Sequence, residues 1–159
     1  MMQQLSDWLT NTPVSQALAG TDWFVPAVQT VHILAIAAVL ALLATLHARL
    51  LGLTTRAPSP LRLAATCLPG FWGALALLLL SGTLLVLAEP GRELMNPAFR
   101  VKMPLVALLA VLTLFLQRGL TRRHWHDSPG GRRLAGVLAA ASALLCVAIV
   151  AAGRFIAYA

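Results

Sequence analysis

Acidic side chains are what this sequence has least of: five Asp and Glu in 159 residues, against 12 Lys and Arg. Charged residues of both signs reach only 11%, and hydrophobic ones make up 59%, which leaves too little polar surface to clothe a water-soluble domain of this length. There is no nucleophile elbow, no phosphate-binding glycine loop and no CxxC, so hydrolytic and ATP-driven chemistry have no support. Cysteine is limited to Cys67 and Cys146, both inside apolar runs, where a thiol serves as a small hydrophobe. The first twenty residues hold no Lys or Arg and no apolar core of about 7–15 residues, so no cleaved leader is expected.

What the chain does have is four long apolar runs, each near the ~20 residues that cross a ~30 Å hydrocarbon layer. They cover about 23–51, 61–87, 98–120 and 133–158, joined by "TTRAPSP", "EPGRELMNP" and "RRHWHDSPGGRR". Short polar connectors between long helices predict an all-α, four-transmembrane-helix, up-down bundle. Residues 1–22 read as an interfacial segment, with Thr12 as the N-cap and Pro13 as the first residue of a short helix, and with Trp8 and Trp23 as interface anchors.

In a soluble protein a net charge of +7 would suggest nucleic acid; here its distribution argues for the membrane surface and no nucleic-acid partner. One side collects Arg49, Arg56, Arg62, Arg118, Arg122, Arg123, Arg132 and Arg133, and the other has Arg92, Arg100, Lys102 and Arg154. Eight against four predicts a multi-pass protein of a bacterial inner membrane with both termini in the periplasm. In the last helix, Gly136 with Ala140, Ala139 with Ala143 and Ala148 with Ala152 have the small-xxx-small spacing of close packing, within the bundle or in a homo-oligomer.

Within "VQTVHILAIAAVLALLATLHARLLG", His32 and His47 are fifteen residues apart. On one helix that is about 22 Å of rise and about 60° of rotation, a spacing that raises the possibility of two stacked haems. An ionisable group in a span costs roughly 2.5–3.5 kcal/mol at the centre on insertion scales, so each is a candidate for function. His32 and Gln29, one turn apart, together with Arg100, Lys102 and Arg154, fall in the half of the bundle nearest the chain ends. An imidazole there is a candidate haem ligand, and the cations suit carboxylates such as propionates. The alternative is that the cations snorkel to lipid and His32 bonds a neighbouring carbonyl. His47, beside Arg49, reads as a surface residue. "HWHD" at His124, His126 and Asp127 is poor in ligands for a metal site. Gly70, Gly73 and Gly82 leave room beside the second span for a flat cofactor or a neighbouring helix.

The series "VQTVHILAIAAVLALLATLHARLLGL", "GFWGALALLLLSGTLL", "NPAFRVKMPLVALLAVL" and "VAAGRFIAY" resembles a domain-of-unknown-function family of bacterial four-helix membrane proteins over essentially the whole chain. More distantly, a first-helix His followed by a Lys at the start of the third is similar to bacterial membrane protoporphyrinogen oxidases that bind haem b, and to copper-resistance-type membrane proteins. That resemblance implies a haem or porphyrin role for His32 and Lys102. The chain departs from the oxidases in its N-terminal segment and in the histidine-free "LFLQRGL". The second to fourth spans contain no histidine, so a haem on His32 would be five-coordinate, use a non-His ligand or be completed by another chain. The expectation is a b-type-haem or porphyrin-associated redox protein with its site at His32, Gln29, Arg100, Lys102 and Arg154. The alternative is a non-enzymatic membrane subunit or scaffold that binds lipid or a partner protein within a larger complex. A transporter would need inverted repeats, and none is visible.

Overall fold

The computed structural model describes residues 2–54, 58–122 and 125–156; for residues 2, 5, 126 and 154–156 it describes the backbone alone. The fold is all-α, with four helices long and apolar enough to cross a membrane: α3 (Phe24–Leu50), α4 (Pro60–Ala88), α6 (Pro97–Arg122) and α7 (Pro129–Ile156). Three short helices, α1 (Met2–Thr10), α2 (Pro13–Ala19) and α5 (Pro90–Leu94), gather at the end where the long helices begin and finish with the chain ends.

Prolines set most of the helix starts. Pro13, Pro60, Pro90, Pro97 and Pro129, five of the nine in the chain, are each the first residue of a helix, where the missing N–H would have had no partner. Four of them follow a residue whose side chain accepts from a first-turn N–H. Ser15 N–H donates to Thr12 Oγ1 at 3.3 Å, Arg62 N–H to Ser59 Oγ at 3.4 Å, Ala98 N–H to Asn96 Oδ1 at 2.9 Å and Gly131 N–H to Ser128 Oγ at 3.0 Å. The α2 start expected at Thr12 and Pro13 is therefore present. α7 begins at Pro129 rather than near 133, about 6 Å further out. Pro69 and Pro104 lie inside α4 and α6, which continue through them.

The spans pair as two helical hairpins, α3 on α4 and α6 on α7, closed into a four-membered ring by α3 against α7 and, more thinly, α4 against α6. The middle of the bundle is apolar: Val39, Leu43, Phe71, Leu75, Val106, Leu109 and Cys146 form one buried cluster. A second, with Leu46, Leu68, Leu116, Leu120 and Trp125, fills the arginine-rich end. Outward, Ile33, Leu80, Leu144 and Val147 are each more than 60% exposed, a surface suited to lipid rather than water. Trp8 and Trp23 stand out from the end that holds the chain termini, exposed as interface anchors need to be.

The α6–α7 connection departs from the expected open polar loop. α6 runs to Arg122, and a 3₁₀ turn (Trp125–Asp127) folds the Trp125 indole back against Gly119, with Phe115 5.9 Å away ring to ring. A Cβ on Gly119 would collide with the indole, and one on Gly131 would collide with the Trp125 backbone. Glycine at both positions is what lets the hairpin close. Gly119→Ala should therefore cost about 1–3 kcal/mol in a detergent unfolding titration, and much less in a Trp125→Ala background where the obstacle is gone.

Candidate functional site

His32 lies eight residues past Phe24 on α3, and Ser81 seven residues before Ala88 on the antiparallel α4, so the two reach the same depth. His32 Nδ1 is 2.8 Å from Ser81 Oγ. The Ser81 hydroxyl has one proton, and it is placed to donate to Leu77 O at 2.8 Å, with Leu78 O at 3.2 Å. The hydroxyl then accepts from the ring, and the Leu78 carbonyl is a further acceptor in reach of it. This assigns the proton to Nδ1 and leaves the lone pair on Nε2. Gly82 makes room for the ring: a Cβ there would lie 3.3 Å from His32 Cε1.

Lys102, a turn and a half into α6, is half-buried and reaches across to α7, where a Cβ on Gly153 would lie 3.9 Å from its Nζ. It stands within electrostatic reach of both His32 and the half-buried Glu93 of α5. The structure thus brings His32 and Lys102 into one polar layer with Ser81 and Glu93. Arg100 is exposed and Gln29 half-buried; neither is joined to this layer by a described hydrogen bond. Arg154 follows Gly153 in α7, so its backbone is at the site, while its side chain lies outside what is described, as do Arg56, Arg123, His124 and the side chain of His126. Among the described residues no group of three His, Cys, Asp or Glu is placed to hold a metal ion.

His47 is the clear departure from the sequence reading. Only 4% exposed, it is not a surface residue; its Nε2 is 2.9 Å from Ser142 Oγ of α7. Ser142 in turn is placed to donate to Leu138 O at 2.7 Å, so by the same reasoning His47 donates through Nε2–H. The cause is the face His47 occupies: although only three residues from the end of α3, the ring is turned to α7 at the depth of Ser142. The sequence reading also missed Ser81, Glu93, Ser142 and the α4–α6 bond from Trp72 Nε1–H to Gln117 Oε1 at 2.8 Å. Ser81 was findable, as a lone hydroxyl in an apolar run at the depth of His32. The room at Gly70 and Gly82 is taken by α3 side chains, Leu42 and His32 respectively, whereas Gly73 has nothing within 4 Å of an added Cβ.

The fold and this polar layer define a multi-pass helical membrane protein with ionisable groups held between its spans. No protein-family model matches the chain, and no curated protein or solved structure matches it.

The two His–Ser pairs differ in what their loss should cost. Ser142→Ala strands a buried imidazole N–H and should destabilise by about 1–3 kcal/mol. Ser81→Ala should cost under about 1 kcal/mol, because His32 is only half-buried and the Leu78 carbonyl remains. Thermal unfolding of both variants in one detergent checks the order.

Proposed function

We propose that this protein is a small b-type-haem or porphyrin-associated redox component of a bacterial inner membrane, with both chain ends in the periplasm and His32 as its axial ligand. The observation that carries the reading is the Ser81 hydrogen bond, which fixes the ring through Nδ1 and leaves the Nε2 lone pair as the available donor. Histidines that hold metals are oriented in this way, by a bond from the other ring nitrogen. Lys102 supports it as a cation at the same level, suited to a propionate, and the distant resemblance assigns these same two residues.

On donor chemistry the residues fit one axial ligand and one carboxylate partner. A bound iron porphyrin would supply one-electron transfer. The chain's own share is to hold the imidazole in one tautomer, to supply positive charge from Lys102 and to keep water out with the Val39 and Leu75 layer beneath. Leu42 and His32 occupy the glycine gaps between α3 and α4, so a porphyrin is not placed in that seam. Any further ligand to a bound iron would have to be a non-His group or come from another chain, because the second to fourth spans hold no histidine.

A non-enzymatic subunit or scaffold is the second reading, favoured by His47. There the same His–Ser pairing is sealed from any ligand and serves only to join helices.

An absorption spectrum separates the two. Protein purified from haem-sufficient cells should show a Soret band, and a folded His32→Ala variant should lose it. A folded wild-type protein without the band overturns the haem reading, and impaired assembly of His32→Ala with no chromophore change favours the subunit.

A further inference from the structure

At the arginine-rich end, away from His32, the last turns of α3 and α6, the start of α4 and the first turns of α7 border a half-open cavity of about 330 Å³. Its walls include Leu50, Pro60, Leu120 and Ala135, and Arg49 and Arg132 line it as well. Leu120 and Ala135 are buried while Gly52 and Arg132 are exposed, so the cavity runs from the packed bundle out to the surface.

Arg49 is held in place. Its Nε–H donates to Pro58 O at 3.0 Å and Nη1 to Thr54 O at 3.5 Å, so the α3–α4 connector fixes the guanidinium with two of its five N–H groups. The remaining three are available for an anion. Charge at this end is one-sided: Asp127 is the single acid of the sequence on this side, against Arg49, Arg62, Arg118, Arg122, Arg132 and Arg133, while Asp7, Asp22, Glu89 and Glu93 are at the other.

We propose that this cavity is a binding site for the headgroup of an anionic glycerophospholipid, its phosphate held by Arg49 and Arg132 and its upper acyl chain laid against the apolar wall. Guanidinium forks match phosphate oxygens in pairs, and basic pockets between membrane helices take such headgroups. A lipid rather than a free anion is the occupant because the cavity is level with the ends of four membrane-length helices. Besides the two arginines its walls are apolar, and Leu53, next in sequence to Gly52 of the lining, is 77% exposed.

The test uses the full chain in a neutral detergent, titrated separately with phosphatidylglycerol, phosphatidylcholine and inorganic phosphate, with lipid retention in native mass spectrometry and the thermal midpoint as readouts. Phosphatidylglycerol alone should be retained and should raise the midpoint. Arg49→Ala and Arg132→Gln should each weaken its apparent affinity about fivefold, and together about twenty-five-fold if they act independently. Arg62→Gln, an exposed arginine at the same end that does not line the cavity, should leave affinity unchanged. If Arg49→Ala fails to fold, the exposed Arg132 variant carries the comparison with Arg62→Gln. Equal losses from Arg62→Gln and Arg132→Gln would reduce the effect to diffuse surface charge and overturn the site. Equal stabilisation by inorganic phosphate would overturn the lipid.

Discussion

Hydrocarbon offers no hydrogen bonds, so every polar group carried into it must find its partner within the protein. The backbone answers by forming four helices. Most hydroxyls in the spans answer locally: Thr30, Thr45, Thr66, Thr83, Thr113 and Thr121 each donate to the carbonyl four residues back. Among the described residues, three side-chain bonds join one span to another: His32 with Ser81, His47 with Ser142, and Trp72 with Gln117. They tie α3 to α4, α3 to α7 and α4 to α6. The fourth side of the ring, α6 to α7, is closed by Trp125 packed against Gly119. Each interface of the bundle therefore has one specific fastening.

The energies explain why so few are enough. Between helices in lipid the hydrophobic effect contributes little, and an interhelical hydrogen bond averages about 0.6 kcal/mol. Bonds this weak do not hold the bundle together alone; close packing in the Phe71 and Leu116 clusters does that. They select register instead. Sliding α4 one residue along α3 would carry Ser81 about 100° away from His32 and bring a leucine or Gly82 in its place, leaving an imidazole N–H without its acceptor. An apolar seam rich in leucine and alanine has little else to distinguish one register from the next.

The spans were legible because composition alone decides them, and so was the antiparallel order, because the connectors are short. The helix starts were also written in the sequence, as Thr12–Pro13, Ser59–Pro60, Asn96–Pro97 and Ser128–Pro129, although only the first was read as a cap. Missing the last displaced the start of α7 by a turn. Gly130 and Gly131, which follow it, look like a loop, yet both are helical, and Gly131 is needed as a glycine because a Cβ there would meet the Trp125 backbone. His47 reads as a surface residue because it stands beside Arg49 near the end of α3, and nothing in the sequence shows that its face of the helix is turned to Ser142 of α7. His32 and Lys102 were placed in one half of the bundle by counting along antiparallel helices. Glu93 was not placed, because nothing in "EPGREL" announces that α5 folds under the bundle end.

His32 and His47 each bond a serine hydroxyl, His32 through Nδ1 and His47 through Nε2, and they differ in access. At His47 the ring is sealed between α3 and α7, and its bond to Ser142 accounts for its presence. At His32 the ring is only half-buried, its second nitrogen is left as an acceptor, and Lys102 brings a positive charge into its surroundings. Fastening therefore explains His47, while Lys102 stands between His32 and the protein's own carboxylate at Glu93. Under the haem reading proposed above, a ligand at Nε2 with negative charge of its own would share Lys102 with Glu93, and on that reading the two ends of one helix, alike in chemistry, part in role.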